Sequence, residues 1–228
     1  MVTRAGHPFT KEGMGALNEL CRRYRSPILS FVRASGFSAE DAEDMTQGFL
    51  QQLSTSNDIA VVDPSRGRFR NWLCRCVKNY VANERDRIRA KKRGGACLHE
   101  RVDVFEFEPT TRPLPSNTPS AEDIYEHTFT ISFIDRVLAQ LQQYYHENGE
   151  DKLFDALRPR LVDDDALEHK HVAHMLGMSV DATKTALSRM RARLKQFARR
   201  EIRSLVNSDT EVDDELKSMM ASLQLIKQ

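Results

Sequence analysis

Four prolines, Pro109, Pro113, Pro115 and Pro119, crowd one short stretch and cut the chain's hydrophobic periodicity in two. Proline lacks an amide donor and fixes φ, so neither a helix nor a central strand runs through such a segment. With Thr and Ser interspersed, 96–120 reads as an extended linker. On both sides of it apolar residues recur every three or four positions, the period of amphipathic helices. Only Ile59–Val62 suggests extended structure. The expectation is an all-α chain of two small helical domains joined by a proline-rich linker. Its 228 residues suit two such domains better than one large enzyme fold.

Leu17, Leu20, Tyr24, Ile28, Phe31 and Val32 mark a first helix, which Pro27 is expected to kink or split and Gly36 to end. Ser38, three residues before Asp41, begins the next in the manner of a capping box, with Ala42, Met45, Phe49, Leu50 and Leu53 facing inward. After a loop at 54–67, Phe69, Leu73, Val77, Tyr80 and Val81 define a third helix that ends at Gly94 and Gly95. Beyond the linker, Ile124, Ile131, Ile134, Val137, Leu138 and Leu141 predict a long helix from Ala121 to about Asn148. Leu153, Phe154, Leu157 and Leu161 predict a short one. In the last segment Leu216, Met219, Met220, Leu223 and Ile226 form an apolar stripe. That stripe has three readings: packing on the chain's own domains, engaging a regulator, or no fixed structure.

The 34 Lys and Arg against 33 Asp and Glu nearly cancel, but they are segregated. From Ala34 to Ser65 there is no Lys or Arg and there are six acids. From Arg66 to Arg101 twelve cations face three acids, and from Lys184 to Arg203 eight face one. The segment from Asn207 onward is acidic. Two basic blocks on a balanced chain suit two contact surfaces for one polyanion, or two solvated helix faces.

The most specific local pattern lies at 171–195. Ala173 precedes Gly177 by four, and Ser179 stands ready to cap a new helix, which spells helix, tight turn, helix. On the second helix Thr183, Leu187, Met190 and Leu194 share the inner side. Lys184, Thr185, Ser188 and Arg189 then point outward, as base-reading residues of a recognition helix do, with Arg191 and Arg193 as phosphate contacts. On the helix beginning at Phe69, Asn71, Arg75, Lys78, Arg85 and Arg89 lie opposite the core residues, suited to phosphates. Between the two faces runs a row of Trp72, Asn79 and Asn83. An indole beside two amides can stack on and hydrogen-bond unpaired bases; equally, Trp72 can be a half-buried edge of the core.

Ser-Ala-Glu-Asp-Ala-Glu-Asp-Met-Thr-Gln (38–47), Gly-Arg-Phe-Arg-Asn-Trp-Leu-Cys-Arg-Cys-Val-Lys-Asn (67–79) and the helix-turn-helix pattern, in that order, resemble bacterial RNA polymerase sigma factors of the sigma-70 family. The two-domain layout is similar to the extracytoplasmic-function subfamily. The resemblance implies sigma region 2 over 10–95, a linker over 96–120, region 4 over 121–206, and an acidic tail helix over 207–228. It implies that Asp41, Asp44, Gln47 and Gln51 belong to the surface that docks on core RNA polymerase through its β′ clamp, with further contacts to β. It implies that 66–93 recognises and helps melt the −10 promoter element, and that Lys184–Arg193 reads the −35 element. An anti-sigma factor or other regulator is a partner class that the family allows. Three departures stand out: Thr183 replaces a buried Val, Ala186 stands where Arg is common, and 149–170 lacks the usual leucine-proline-arginine lead into the helix-turn-helix. The rival reading is a stand-alone helix-turn-helix regulator that needs no polymerase.

Several chemistries find no support in the sequence. His169, His171 and His174 do not converge on a helix, and Cys74 and Cys76 point apart, so no metal site or other cofactor is expected. No nucleotide-binding loop or nucleophile constellation appears, so no enzyme activity is expected. Four unevenly spaced cysteines, no apolar run approaching the ~20 residues of a membrane span and no secretory leader lead to the expectation of a reduced, cytoplasmic protein.

Overall fold

The computed structural model describes residues 10–56, 59, 68–92, 119–162, 169–203, 205–206 and 209–224. Every regular element among them is helical: α1 (Lys11–Ala34), α2 (Ala39–Thr55), α3 (Phe69–Lys92), α4 (Ala121–Glu147), α5 (Asp151–Leu157), α6 (Pro159–Val162), α7 (His169–Leu176), α8 (Val180–Arg203) and α9 (Asp209–Gln224). No helix among the described residues is long and apolar enough to cross a membrane. The proposed linker lies almost wholly outside the described residues, as do Gly94, Gly95 and most of the 54–67 loop. Ile59 is buried in a short 3₁₀ turn.

The chain divides into two compact units, 1–132 with 204–228, and 133–203. This differs from the division expected at the linker in two respects. The boundary falls inside α4, and α9 belongs with the N-terminal unit. The first half of α4 joins that unit because Tyr125 and Phe129 are fully buried in it, with Phe129 stacked on Tyr24 of α1 at 5.1 Å between centroids. The buried row of α4 is aromatic, Tyr125–Phe129–Phe133, continued by Val137, Leu141 and Tyr145. The expected isoleucines lie to the side, and Ile131 is 41% exposed. Rings bury more area than isoleucines do, and they set the register of this helix.

In the first unit α1 and α2 pack closely, and both contact α3. Helix α1 continues through Pro27, contrary to the expected break. A proline inside a helix costs about 3 kcal/mol. Here Leu20, Tyr24, Ile28, Phe31 and Val32, all nearly inaccessible, hold both sides of it to the core, at about 1.5–3 kcal/mol per buried side chain. Gly36, at φ +91°, supplies the left-handed residue that ends α1. Ser38 then caps α2, its Oγ accepting from the Asp41 amide at 3.1 Å.

The second unit has its own core of Leu141, Tyr145, Phe154, Ala156, Leu157, Val172, Leu187 and Met190. It draws on α4, α5, α7 and α8. Gly149, at φ +69°, closes α4 with Schellman bonds from Gly149 N to His146 O (3.0 Å) and Glu150 N to Tyr145 O (2.8 Å).

Candidate nucleic-acid interface

Helix α7 ends in the same way. The Gly177 amide donates to His174 O at 3.2 Å and the Met178 amide to Ala173 O at 2.9 Å, with Gly177 at φ +63°. Ala173 is buried, so no large side chain holds α7 and α8 apart there. Ser179 caps α8 by accepting from the Ala182 amide at 3.1 Å. The expected helix, tight turn and helix are therefore all present.

On α8, Thr183, Leu187 and Met190 are buried. The Thr183 hydroxyl donates to Ser179 O at 3.0 Å, which satisfies the polar atom at this core position. Lys184, Thr185, Ser188 and Arg189 are all exposed on the opposite side. Lys184 and Arg189 have no carboxylate partner among the described residues. Arg191 and Arg193 lie roughly a quarter turn or more from the centre of this outward face. Arg191 is exposed, yet it donates to Arg160 O at 2.9 Å. Arg193 lies over the Tyr144 ring, 3.8 Å from its centroid. Both are engaged with their own unit.

In the first unit α3 presents the second basic surface. Phe69, Leu73, Val77 and Val81 are buried as expected, Cys76 is buried with them, and Tyr80 is half-buried. Asn71, Arg75, Arg85 and Arg89 are exposed. Trp72, Asn79 and Asn83 form one row along the helix, each partly exposed, with the indole 5.3 Å from the Phe69 ring. The indole thus keeps an exposed part while packing on the core edge. Lys78 pairs with Glu122 at 2.6 Å, and Arg89 with Asp86 at 3.6 Å. Arg85 donates to Ser35 O and sits 5.2 Å over the Phe37 ring.

Arg70, counted from sequence among the basic block, is instead 97% buried. Its guanidinium pairs with Glu126 at 2.7 Å and Glu215 at 3.2 Å and lies over the Phe129 ring. Tyr125 donates to its carbonyl at 3.3 Å. Burial pushes the Glu126 carboxyl up, with Arg70 pulling the other way. Helix α9 docks here through Val212 and Met219 as well as Glu215. The expected stripe is rotated: Met220 is 67% exposed, because the row that faces the unit is the one carrying Glu215 to the arginines. Burial also drives the Cys74 thiol far above its ordinary range, so it stays protonated.

Asp41, Asp44, Gln47 and Gln51 are all exposed along one side of α2, close enough in direction to form a single polar face. Glu43 turns away from them to pair with Arg25 of α1 at 2.6 Å. Opposite that face, Phe49 meets the Tyr80 ring of α3 edge-on at 5.4 Å. A Cβ on Gly48 would come within 2.6 Å of the Tyr80 hydroxyl, so glycine gives that ring its seat against α2. No group of three or more metal-ligating side chains occurs among the described residues.

The sequence reading missed four residues that shape these surfaces: Glu126 and Glu215, which neutralise Arg70, and Arg160 and Tyr144, which engage Arg191 and Arg193. Only the unmatched polarity of Glu215 within an apolar stripe could have signalled the first pair. No family model, curated protein or solved structure matches the chain.

Proposed function

We propose that this protein is an alternative sigma factor of the extracytoplasmic-function type. In this reading it is a non-enzymatic cytoplasmic protein that binds core RNA polymerase and directs it to promoters. The observation that carries the reading is the pairing in one chain of a helix-turn-helix with a polar, cationic outward face and, in a separate unit, an indole–amide row on a basic helix seated directly against an acid-faced helix. A duplex-binding regulator has use for the first feature only.

Roles follow from the chemistry. Lys184, Thr185, Ser188 and Arg189 are suited to reading base edges of a −35 element in a major groove. Trp72, Asn79 and Asn83 are suited to unpaired −10 bases, whose faces and edges a duplex hides. Asn71, Arg75, Lys78, Arg85 and Arg89 flank that row with backbone-directed groups. The Asp41–Asp44–Gln47–Gln51 face repels DNA and suits a basic patch on the polymerase clamp. Because α2 and α3 share the Phe49–Tyr80 contact, polymerase docking and strand opening would be held in one register.

Co-purification with core RNA polymerase tests the reading. The wild-type chain should co-elute with core enzyme. Asp41→Lys combined with Asp44→Lys should not, while keeping its helical circular dichroism. Undiminished binding by the double variant would remove this face from the proposal, and failure of the wild type to bind would leave the stand-alone regulator.

A further inference from the structure

Arg68 lies one turn before Trp72 and extends the row Trp72–Asn79–Asn83 at its N-terminal end. Its carbonyl accepts the Asn71 and Trp72 amides at 3.0 and 3.1 Å, which fixes it to the start of α3. Its guanidinium reaches away from α3 to α9, pairing with Glu215 at 2.8 Å and donating to Asp214 O at 3.1 Å. The Arg68 side chain remains 37% exposed, whereas Glu215 is only 5% exposed. Arg70 differs: it is 2% exposed and is also held by Glu126 of α4, so it keeps a counter-ion whatever α9 does.

A carboxylate fixed against a guanidinium offers the same charged oxygen acceptors as a backbone phosphate. We propose that α9 is an internal mimic of nucleic-acid backbone, with Glu215 occupying the place on Arg68 that a phosphate of an opened strand would take. Helix α9 therefore holds the cationic end of the α3 row closed, and its displacement adds one phosphate contact. The proposal rests on the reading of α3 as a nucleic-acid surface and adds to it an acidic competitor carried by the same chain. The apolar part of the docking, Val212 and Met219, gives α9 a seat independent of the charges. The contact can accordingly be weakened from either side.

The test uses the full chain and a fluorescein-labelled single-stranded DNA oligonucleotide of mixed sequence, with affinity followed by anisotropy over a salt series. Glu215→Gln keeps the side chain's shape and leaves Arg70 paired with Glu126. It should tighten binding severalfold at low salt and steepen the log–log salt slope by about 0.7, the value for one further phosphate on a single strand. Arg68→Gln alone should change neither quantity, because Arg68 is already occupied; in the Glu215→Gln background it should erase the gain. Asp214→Asn makes the same charge change on the exposed side of α9, where that carboxylate pairs with Lys217, and should leave the slope unaltered. Val212→Ala with Met219→Ala loosens α9 without altering charge and should reproduce the gain, again only when Arg68 is present. These two routes keep the test decisive if one variant folds poorly, as judged by circular dichroism. An unchanged slope in folded Glu215→Gln, or a gain that survives loss of Arg68, overturns the proposal. So does the absence of strand binding by every form, while co-purification with core polymerase decides the sigma-factor reading separately.

Discussion

Helices α3 and α8 carry identical charge inventories, eight cations and two carboxylates over 24 residues each, yet the fold uses them differently. On α3, Arg70, Lys78, Arg87 and Arg89 pair with carboxylates, three of them supplied by α4 and α9. On α8, Arg191 donates to the backbone carbonyl of Arg160 and Arg193 lies over the Tyr144 ring. Lys184 and Arg189 stand exposed without a carboxylate partner among the described residues. Equal sequence charge thus gives an α3 surface partly neutralised by α4 and α9, whereas the outward face of α8 keeps Lys184 and Arg189 without such carboxylates among the described residues. A duplex, whose phosphates dominate affinity, favours the second. An opened strand, held by stacking and amide hydrogen bonds, can be served by the first.

Removing one arginine from each helix, with stability and binding measured separately, distinguishes buried from available charge. Arg70→Ala should leave Glu126 and Glu215 without their shared cation. Removing one partner of a buried pair costs about 3–5 kcal/mol, read as a lower denaturation midpoint of the first unit. Arg189→Ala should leave the stability of the second unit within about 0.5 kcal/mol of wild type. If Arg70→Ala proved neutral for stability and harmful only to DNA binding, the division between buried and available charge would be wrong.

A smaller effect is expected on recognition. Arg189→Ala should alter the ranking of −35 sequence variants, since a base-directed arginine discriminates by roughly 1–3 kcal/mol. Arg193→Ala should leave the ranking alone and lower the stability of the second unit by about 0.5–1 kcal/mol through loss of the Tyr144 contact. An unchanged ranking for Arg189→Ala would make it a phosphate contact.

The subtlest test concerns opening. Asn79→Ala with Asn83→Ala should retain duplex promoter binding by the holoenzyme but slow the appearance of permanganate-reactive −10 thymines. A template already mismatched at −10 should recover part of the loss. Wild-type opening by this double variant would make the row structural and Trp72 a core edge only.

Local signals account for what the sequence made legible. Ser38, Ser179, Gly36, Gly149 and Gly177 each act within a few residues of themselves, so helix ends and the turn before α8 could be read directly. The outward set on α8 followed from the period of Leu187 and Met190. Partners from remote segments were not legible. Nothing near Arg70 indicates that Glu126 and Glu215 will meet it, so its charge looked available. Aliphatic spacing does not give the register of α4, because Tyr125, Phe129 and Phe133 form an equally periodic and bulkier row. Pro27 looked like a break because its local cost is visible in sequence and the burial that offsets it is not.

The central claim is that the two basic helices serve core RNA polymerase at a promoter. Reconstituted transcription on a genomic fragment library, using core enzyme with and without this chain, tests it most directly. The account predicts new transcripts with defined start sites that require both components and disappear with the Asp41→Lys, Asp44→Lys double variant. Site-specific duplex binding that is indifferent to core enzyme, with no chain-dependent transcript, would contradict it.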